Sequence, residues 1–261
     1  MRDLLRRLTA FKRNSEHASL PELIDPTNGH RVLAQTSAGR PLFWGRSGDG
    51  DYGIFASVVA QNEYRLPAQM PADSLVIDVG AHIGSFSYAA LCRHAGEVRA
   101  FEPHPANFEF LEMNLRRFGQ RASAHRVALW RSDQPPGTLT LGHYAEGASG
   151  VGSMLLPGGA ETLVETLPFD SVLTRPVHLL KLDCEGSEYP ILYTSQKLRL
   201  VENICGEYHE FSPADIPPHA RISAALPFDR HGLKEFLEAQ GFRVEFVPTR
   251  ESLGVFFATR L

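Results

Sequence analysis

From Ser74 onward, short apolar runs alternate with helical stretches, and that alternation limits the fold more than any other feature. "LVIDV" is a continuous apolar run suited to a strand buried on both faces. "SFSYAALCRHA" reads as a helix, "EVRAFE" as a strand, and "PANFEFLEMNLRRFG" as a helix opened by Pro105 and stopped by Gly119. "AHRVAL" follows as a third strand. "VHLLKLD", "SEYPILYTSQKL" and "ENICGEYH" repeat the strand–helix–strand pattern. The order implies an α/β fold with a Rossmann-like, mostly parallel sheet and right-handed crossovers. "FRVEFV" and "LGVFFATRL", after a helix at "RHGLKEFLEAQ", predict a terminal antiparallel hairpin.

Residues 1–70 read as a small α+β cap and residues 71–261 as the main domain, with 131–160 as a lid or substrate loop rich in Gly, Ser and Pro. One hairpin is expected there, between "GTLTL" and "SMLL", and His143 and Tyr144 are placed to meet a substrate. Leu4, Leu5, Leu8 and Phe11 share one face of an N-terminal basic helix. That face suits packing on its own domain, a homodimer contact or, as a minor reading, a membrane surface.

The chain has 261 residues, a formal net charge of −4 and 43% hydrophobic residues, the balance of a soluble enzyme rather than a nucleic-acid binder. No apolar run is long enough for a transmembrane segment. Cys92, Cys184 and Cys205 form no CxxC pair, which points to a reducing, cytoplasmic setting.

Asp78 and Gly80 end the first strand and Gly84 opens the next helix, giving D-x-G-x-x-x-G. Glycines there permit a tight turn and close approach of a ligand to main-chain N–H groups. Glu102 ends the second strand roughly 20 residues later, where a carboxylate meets ribose hydroxyls in open α/β sheets. A dinucleotide site calls for G-x-G-x-x-G, whereas His82 occupies the second glycine position. An acid before the turn suits a cationic amino-acid tail, as in S-adenosyl-L-methionine. A nicotinamide dehydrogenase is the rival that shares the alternation without this spacing.

"LLKLDCEGSEYPIL" places Asp183 and Glu185 at the end of the fourth core strand, with strand alternation expected to turn Cys184 away. Glu207 and His209 share a face on the fifth. Asp183, Glu185, His209 and His82 are the candidate bases, His209 having the most suitable ordinary pKa. Asp183, Glu185, Glu207 and His209 also offer oxygen ligands and one imidazole for Mg2+ or manganese, as a minor reading. Trp130 is a weak candidate to flank an adenine.

"VIDVGAHIGSFS", "AFEPHPANFEFLEMNL", "VALWRSD" and "LLKLDCEGSEYPIL", in this order, resemble the FkbM family of S-adenosyl-L-methionine-dependent methyltransferases. The resemblance covers roughly residues 74–210. It implies a class I methyltransferase sheet and methyl transfer, mostly to hydroxyls of sugars, lipids or secondary metabolites. Some relatives methylate peptide amide nitrogens instead, and a non-catalytic module that only binds the donor is a further alternative. By position, Asp78, Gly80, Ala81, His82, Gly84, Glu102, Ala128 and Asp183 match cofactor contacts. Asp183 and Glu185 match the catalytic-side motif. The family's "KIDVEGAE" reads Lys181–Glu188 "KLDCEGSE" here, and His82 stands where Asn is frequent.

Overall fold

The computed structural model describes residues 23–24, 30–47, 50–143, 152–155, 160–222 and 226–261. In chain order the strands are β1 (Leu23–Ile24), β2 (His30–Gln35), β3 (Pro41–Arg46), β4 (Leu75–Val79), β5 (Glu97–Phe101), β6 (Ala122–His125) and β7 (Ala128–Trp130). They continue as β8 (Gly137–His143), β9 (Gly152–Ser153), β10 (Ala160–Pro168), β11 (Val177–Leu182), β12 (Val201–His209), β13 (Phe242–Arg250) and β14 (Leu253–Arg260). The helices are α1 (Asp51–Phe55), α2 (Ser85–Cys92), α3 (Pro105–Leu115), α4 (Glu188–Thr194) and α5 (Arg230–Ala239).

The central sheet runs β13-β14-β12-β11-β4-β5-β6. Its members from β12 to β6 are parallel, and β14 and β13 close it antiparallel, as the alternation and the terminal hairpin require. All five residues of β4 are buried, because helices cover both faces of a parallel sheet. Leu75, Ile77 and Val79 enter one core with Leu180, Leu182, Tyr189 and Phe256, whereas Val76 enters the other with Phe86, Leu91 and Leu111. Period-two alternation thus splits one strand between two cores.

From β4 the chain winds outward through β5 and β6, then returns on the other side of β4 as β11. The strand tips between β4 and β11 therefore form the switch-point crevice where ligands of such sheets bind. Pro105 opens α3 with its φ already set, and the His104 ring accepts the Asn107 N–H at 3.4 Å. That start fixes the segment that follows Glu102.

The segment before Pro71 shares a core with the main sheet. Phe43, Phe55, Val58 and Tyr64 are buried in the same cluster as Val76, Phe86 and Leu111. Helix α1 continues as a π-helical turn, Ala56–Gln61, which hands the chain on to Glu63 and Tyr64. Such turns are often found at functional sites.

Residues 137–143, 152–153 and 160 of the expected lid belong to a second sheet, β7-β10-β8-β9. Strand β8 pairs antiparallel with β10 from Gly137↔Thr166 to His143↔Ala160. The hairpin expected with "SMLL" shrinks to one pair, Gly142↔Ser153, because β10 is the longer partner. The expected third strand also divides: Ala122–His125 joins the central sheet and Ala128–Trp130 the small one. The N-terminal amphipathic helix, Tyr144 and the His143 side chain lie outside the described residues. Among the described residues, no helix is long and apolar enough to cross a membrane.

Candidate active site

A cavity of about 530 Å³ opens over the carboxyl ends of β4, β5, β11 and β12. Apolar Phe101, Pro103, Ala128, Leu129, Leu141 and Met154 line it, and so do the acids Glu63, Asp183, Glu185 and Glu207, with Arg250 from the terminal hairpin. Of the residues matched to cofactor contacts, Gly80, His82, Glu102, Ala128 and Asp183 line it.

Asp78, Ala81 and Gly84 do not. Asp78 is fully buried beneath the cavity: Ser87 Oγ donates to its Oδ2 at 2.7 Å, and Lys181 Nζ lies 3.2 Å from its Oδ1. The Gly80 and Ala81 N–H groups both donate to the Phe101 carbonyl, at 3.1 and 3.0 Å, so neither is held out for a ligand. Gly84 caps α2 in the left-handed region. The need for glycine at 80 comes from inside the protein. Its φ is +72°, and a Cβ there would sit 1.8 Å from the Asp183 carbonyl oxygen.

Glu102 is nearly buried and pre-loaded with donors. Oε2 accepts the His82 N–H at 2.8 Å, and Oε1 accepts the His104 N–H at 2.9 Å and Asn107 Nδ2 at 3.3 Å. Burial pushes its carboxyl up, while these hydrogen bonds pull it back. A carboxylate has about four acceptor positions, so one remains for an incoming hydroxyl.

His82 adopts φ +52°, a strained conformation of the kind that collects at functional sites. Its Nε2 lies 3.1 Å from Arg46 Nη2 and 3.4 Å from Asp51 Oδ1. Arg46 holds Asp51 through Nε and Nη2, both at 3.0 Å, and donates to Asn107 Oδ1 at 2.9 Å. One guanidinium from β3 thereby ties α1, the glycine turn and the Glu102 loop together.

Strand β11 ends at Leu182, so alternation does not reach Cys184: Asp183, Cys184 and Glu185 all line the cavity. Glu185 too is left-handed, at φ +54°. Tyr64 OH donates to Asp183 Oδ2 at 2.9 Å. His209 stands behind the wall, 3.2 Å from Glu185, 3.7 Å from Glu207 and 3.8 Å from Glu188. Burial disfavours its cation, yet the Glu185 hydrogen bond and the surrounding carboxylates outweigh that and hold its pKa up to about 10. His209 is thereby held toward its imidazolium form among these carboxylates.

The remaining acids are tuned the other way. Burial, then repulsion by Asp183, pushes Glu207 up to about 8 against the pull of His209. The same two causes raise Glu63 to about 7 against the pull of Lys181. Among the described residues no three His, Cys, Asp or Glu side chains are grouped to hold a metal ion, so the Mg2+ reading is dropped. Trp130 is a core residue, its ring 6.0 Å from His219, and does not line the cavity.

These three shifts have a common sign. Glu63, Glu207 and His209 all bind protons more tightly folded than unfolded, so their stabilisation is present in acid and lost as pH rises through about 7, 8 and 10. The melting temperature is expected to fall across that window. Scanning calorimetry of Glu63→Gln should show the fall reduced around its lower end; an unchanged slope would rule Glu63 out as a contributor.

Sequence reasoning passed over Arg46, Asp51, Glu63, Tyr64, Asn107 and Lys181. Asn107 and Lys181 lie inside the motifs quoted above and were within reach. The other four reach the site from a segment with no motif.

Fold and site together define a class: an open α/β protein whose switch-point crevice is lined by apolar side chains, by Glu102 and by four further carboxylates. The family model of the methyltransferase FkbM domain matches residues 78–244, more than half of the chain, and the chain belongs to that family. Methyltransferase 1 of Beauveria bassiana (strain ARSEF 2860) is 28% identical over 167 residues, covering 54% of this chain and 66% of the relative. The match thus spans just under two thirds of that protein. Among solved structures, a precorrin-6y C5,15-methyltransferase from Geobacter metallireducens GS-15 aligns at TM-score 0.44 and 14% identity, over 80% of this chain and 89% of the other. A ribosomal protein L11 methylase from Lactobacillus delbrueckii subsp. bulgaricus gives 0.44 and 10%, over 82% of each.

Proposed function

We propose that this protein is an S-adenosyl-L-methionine-dependent methyltransferase that methylates a hydroxyl of a sugar or secondary metabolite by direct in-line transfer. The lining of this cavity carries the reading: apolar side chains beside Glu102 share it with the four carboxylates Glu63, Asp183, Glu185 and Glu207. The donor supplies a methyl group on a sulfonium, already a good leaving group.

The chain's part is to align and to take a proton. Glu102 has one acceptor position left for a ribose hydroxyl, and the slot from Phe101 to Met154 suits an adenine. Asp183, beside the glycine turn, suits the cationic amino-acid tail. Holding two reactants in line is worth an effective molarity on the order of 10⁵ M or more. The acceptor belongs over β11 and β12, where several carboxylates can accept O–H groups from a polyhydroxylated molecule. That chemistry favours a sugar-like acceptor over a peptide amide. Glu207 is the general base, since a carboxyl near 8 combines base strength with availability at working pH. Glu185, held by imidazolium His209, shapes the wall. All three cysteines are unbridged, in keeping with a reducing cytoplasm.

Calorimetry with S-adenosyl-L-methionine, its demethylated product and NAD tests the donor, and release of the demethylated product on adding sugars tests the acceptor. Binding of NAD alone would overturn the donor reading. Donor binding with no turnover on any hydroxylated or amide acceptor would leave a binding module. Glu102→Ala strips the partner from three donors and the ribose anchor from the slot, and is expected to weaken donor affinity about tenfold or more. An unchanged affinity would remove Glu102 from the site.

A further inference from the structure

Lys181 is a buried cation with the acid-bearing tips of both β4 and β11 in reach, and its side chain is only 4% exposed. Strands β11 and β4 pair in register, Lys181 beside Asp78. From there its Nζ lies 3.2 Å from Asp78 Oδ1 and 3.6 Å from Asp183 Oδ2. It donates to the Gly80 carbonyl at 2.7 Å and to the Val79 carbonyl at 3.4 Å. The Tyr64 ring centroid is 5.8 Å away, and the Tyr64 hydroxyl completes the hold on Asp183.

Burying an ammonium is costly unless it is paired and hydrogen-bonded. Here the pairing wins: burial pulls the Lys181 pKa down, but Asp78 and then Asp183 hold it above the ordinary lysine value. Asp78 is fully buried and does not line the cavity, whereas Asp183 does. The same ammonium also binds the carbonyl of the residue at the centre of the glycine turn.

We infer that Lys181 is a positioning residue: one buried cation that orients the Asp183 carboxylate on the cavity wall and fixes it against the glycine turn through Asp78 and the Gly80 carbonyl. The inference rests on the methyl-donor reading, because Asp183 matters as the partner of the donor's cationic tail. It adds a consequence that reading lacks. The tail end of the donor site should depend on Lys181, whereas the adenine end should not.

The test compares S-adenosyl-L-homocysteine, which has the tail, with adenosine, which lacks it, by calorimetry. Lys181→Met keeps most of the alkyl stem and removes the charge. Affinity for S-adenosyl-L-homocysteine is expected to drop about tenfold, because the Asp183 carboxylate loses the cation that orients it. Adenosine affinity is expected to stay within about twofold, since no charged contact at that end is touched.

Lys181→Met leaves Asp78 buried without its cation and could unfold the chain. Asp78→Asn/Lys181→Met removes both charges, and the same tail-specific loss is expected in it. Equal losses for both ligands would reduce Lys181 to a packing role, as would two variants that fail to fold, and an unchanged affinity would overturn the inference outright. If the natural chain binds neither ligand, the donor reading falls by itself.

Discussion

Gly80→Ala is expected to lower the melting temperature by about 10 °C and to abolish donor binding, although it adds one methyl group. At φ +72° a Cβ already costs roughly 1–2 kcal/mol. The new carbon would stand 1.8 Å from the Asp183 oxygen and 2.8 Å from its carbonyl carbon. Both are backbone atoms of the adjacent strand tip, so no rotamer change relieves the clash. The β11 tip must move off the β4 tip, straining the Asp183 N–H bond to the Val79 carbonyl at 3.2 Å and the Lys181 bond to the Gly80 carbonyl. Overpacking of this kind costs on the order of 1–3 kcal/mol, and the sum, about 3 kcal/mol or more, corresponds to the quoted shift in a chain of this size. Gly53→Ala is the control. It sits in α1 with nothing within 4 Å of its prospective Cβ and is expected to leave stability unchanged or slightly raised. A Gly80→Ala protein that melts with the natural one would show that the two strand tips are not in contact.

That clash illustrates what could be read ahead of the structure. The glycine at position 80 was visible, and so was its place at a strand tip. The neighbour that demands it was not, because Asp183 lies a hundred residues along and arrives only when β11 pairs with β4. Asp78 is a similar case. Its position beside the turn was plain, yet its carboxylate points inward because Lys181 and Ser87 wait there. Continuous apolar runs such as "LVIDV" announce parallel strands by composition alone, so the central sheet could be drawn from local pattern. Strand β10 could not, since "ETLVETLP" alternates weakly and its partner β8 lies across residues with no periodic signal. The place of Glu102 on the cavity wall was recoverable because its distance from the turn is set by one βαβ unit. Glu63, Tyr64 and Arg46 were not, because their place over the cavity depends on Phe43, Phe55 and Val58 docking into the core shared with α2 and α3.

Charge tuning lies furthest from the sequence, and the second large effect depends on it. Glu207→Gln is expected to cut methyl transfer about 10²–10⁴-fold while leaving donor affinity within about twofold, the range for loss of a positioned base. The sign of the pH dependence follows from the same group. Glu207 acts only when ionised, so turnover of the natural protein should rise as pH climbs through about 8. In the variant that rise should vanish, leaving a low rate nearly flat over the same interval. The amide keeps the shape of the side chain, and His209 retains Glu185 and Glu188 as partners, so the neighbouring wall should hold. Asp183→Asn separates the two carboxylates, because it is expected to weaken binding of the donor's tail as well as turnover. Stopped assays of demethylated-product release, run beside calorimetry on both variants, make the comparison. Near-natural turnover in Glu207→Gln, with the rise through about 8 intact, would pass the role of base to Glu63, the other cavity acid raised to within a unit of neutral pH.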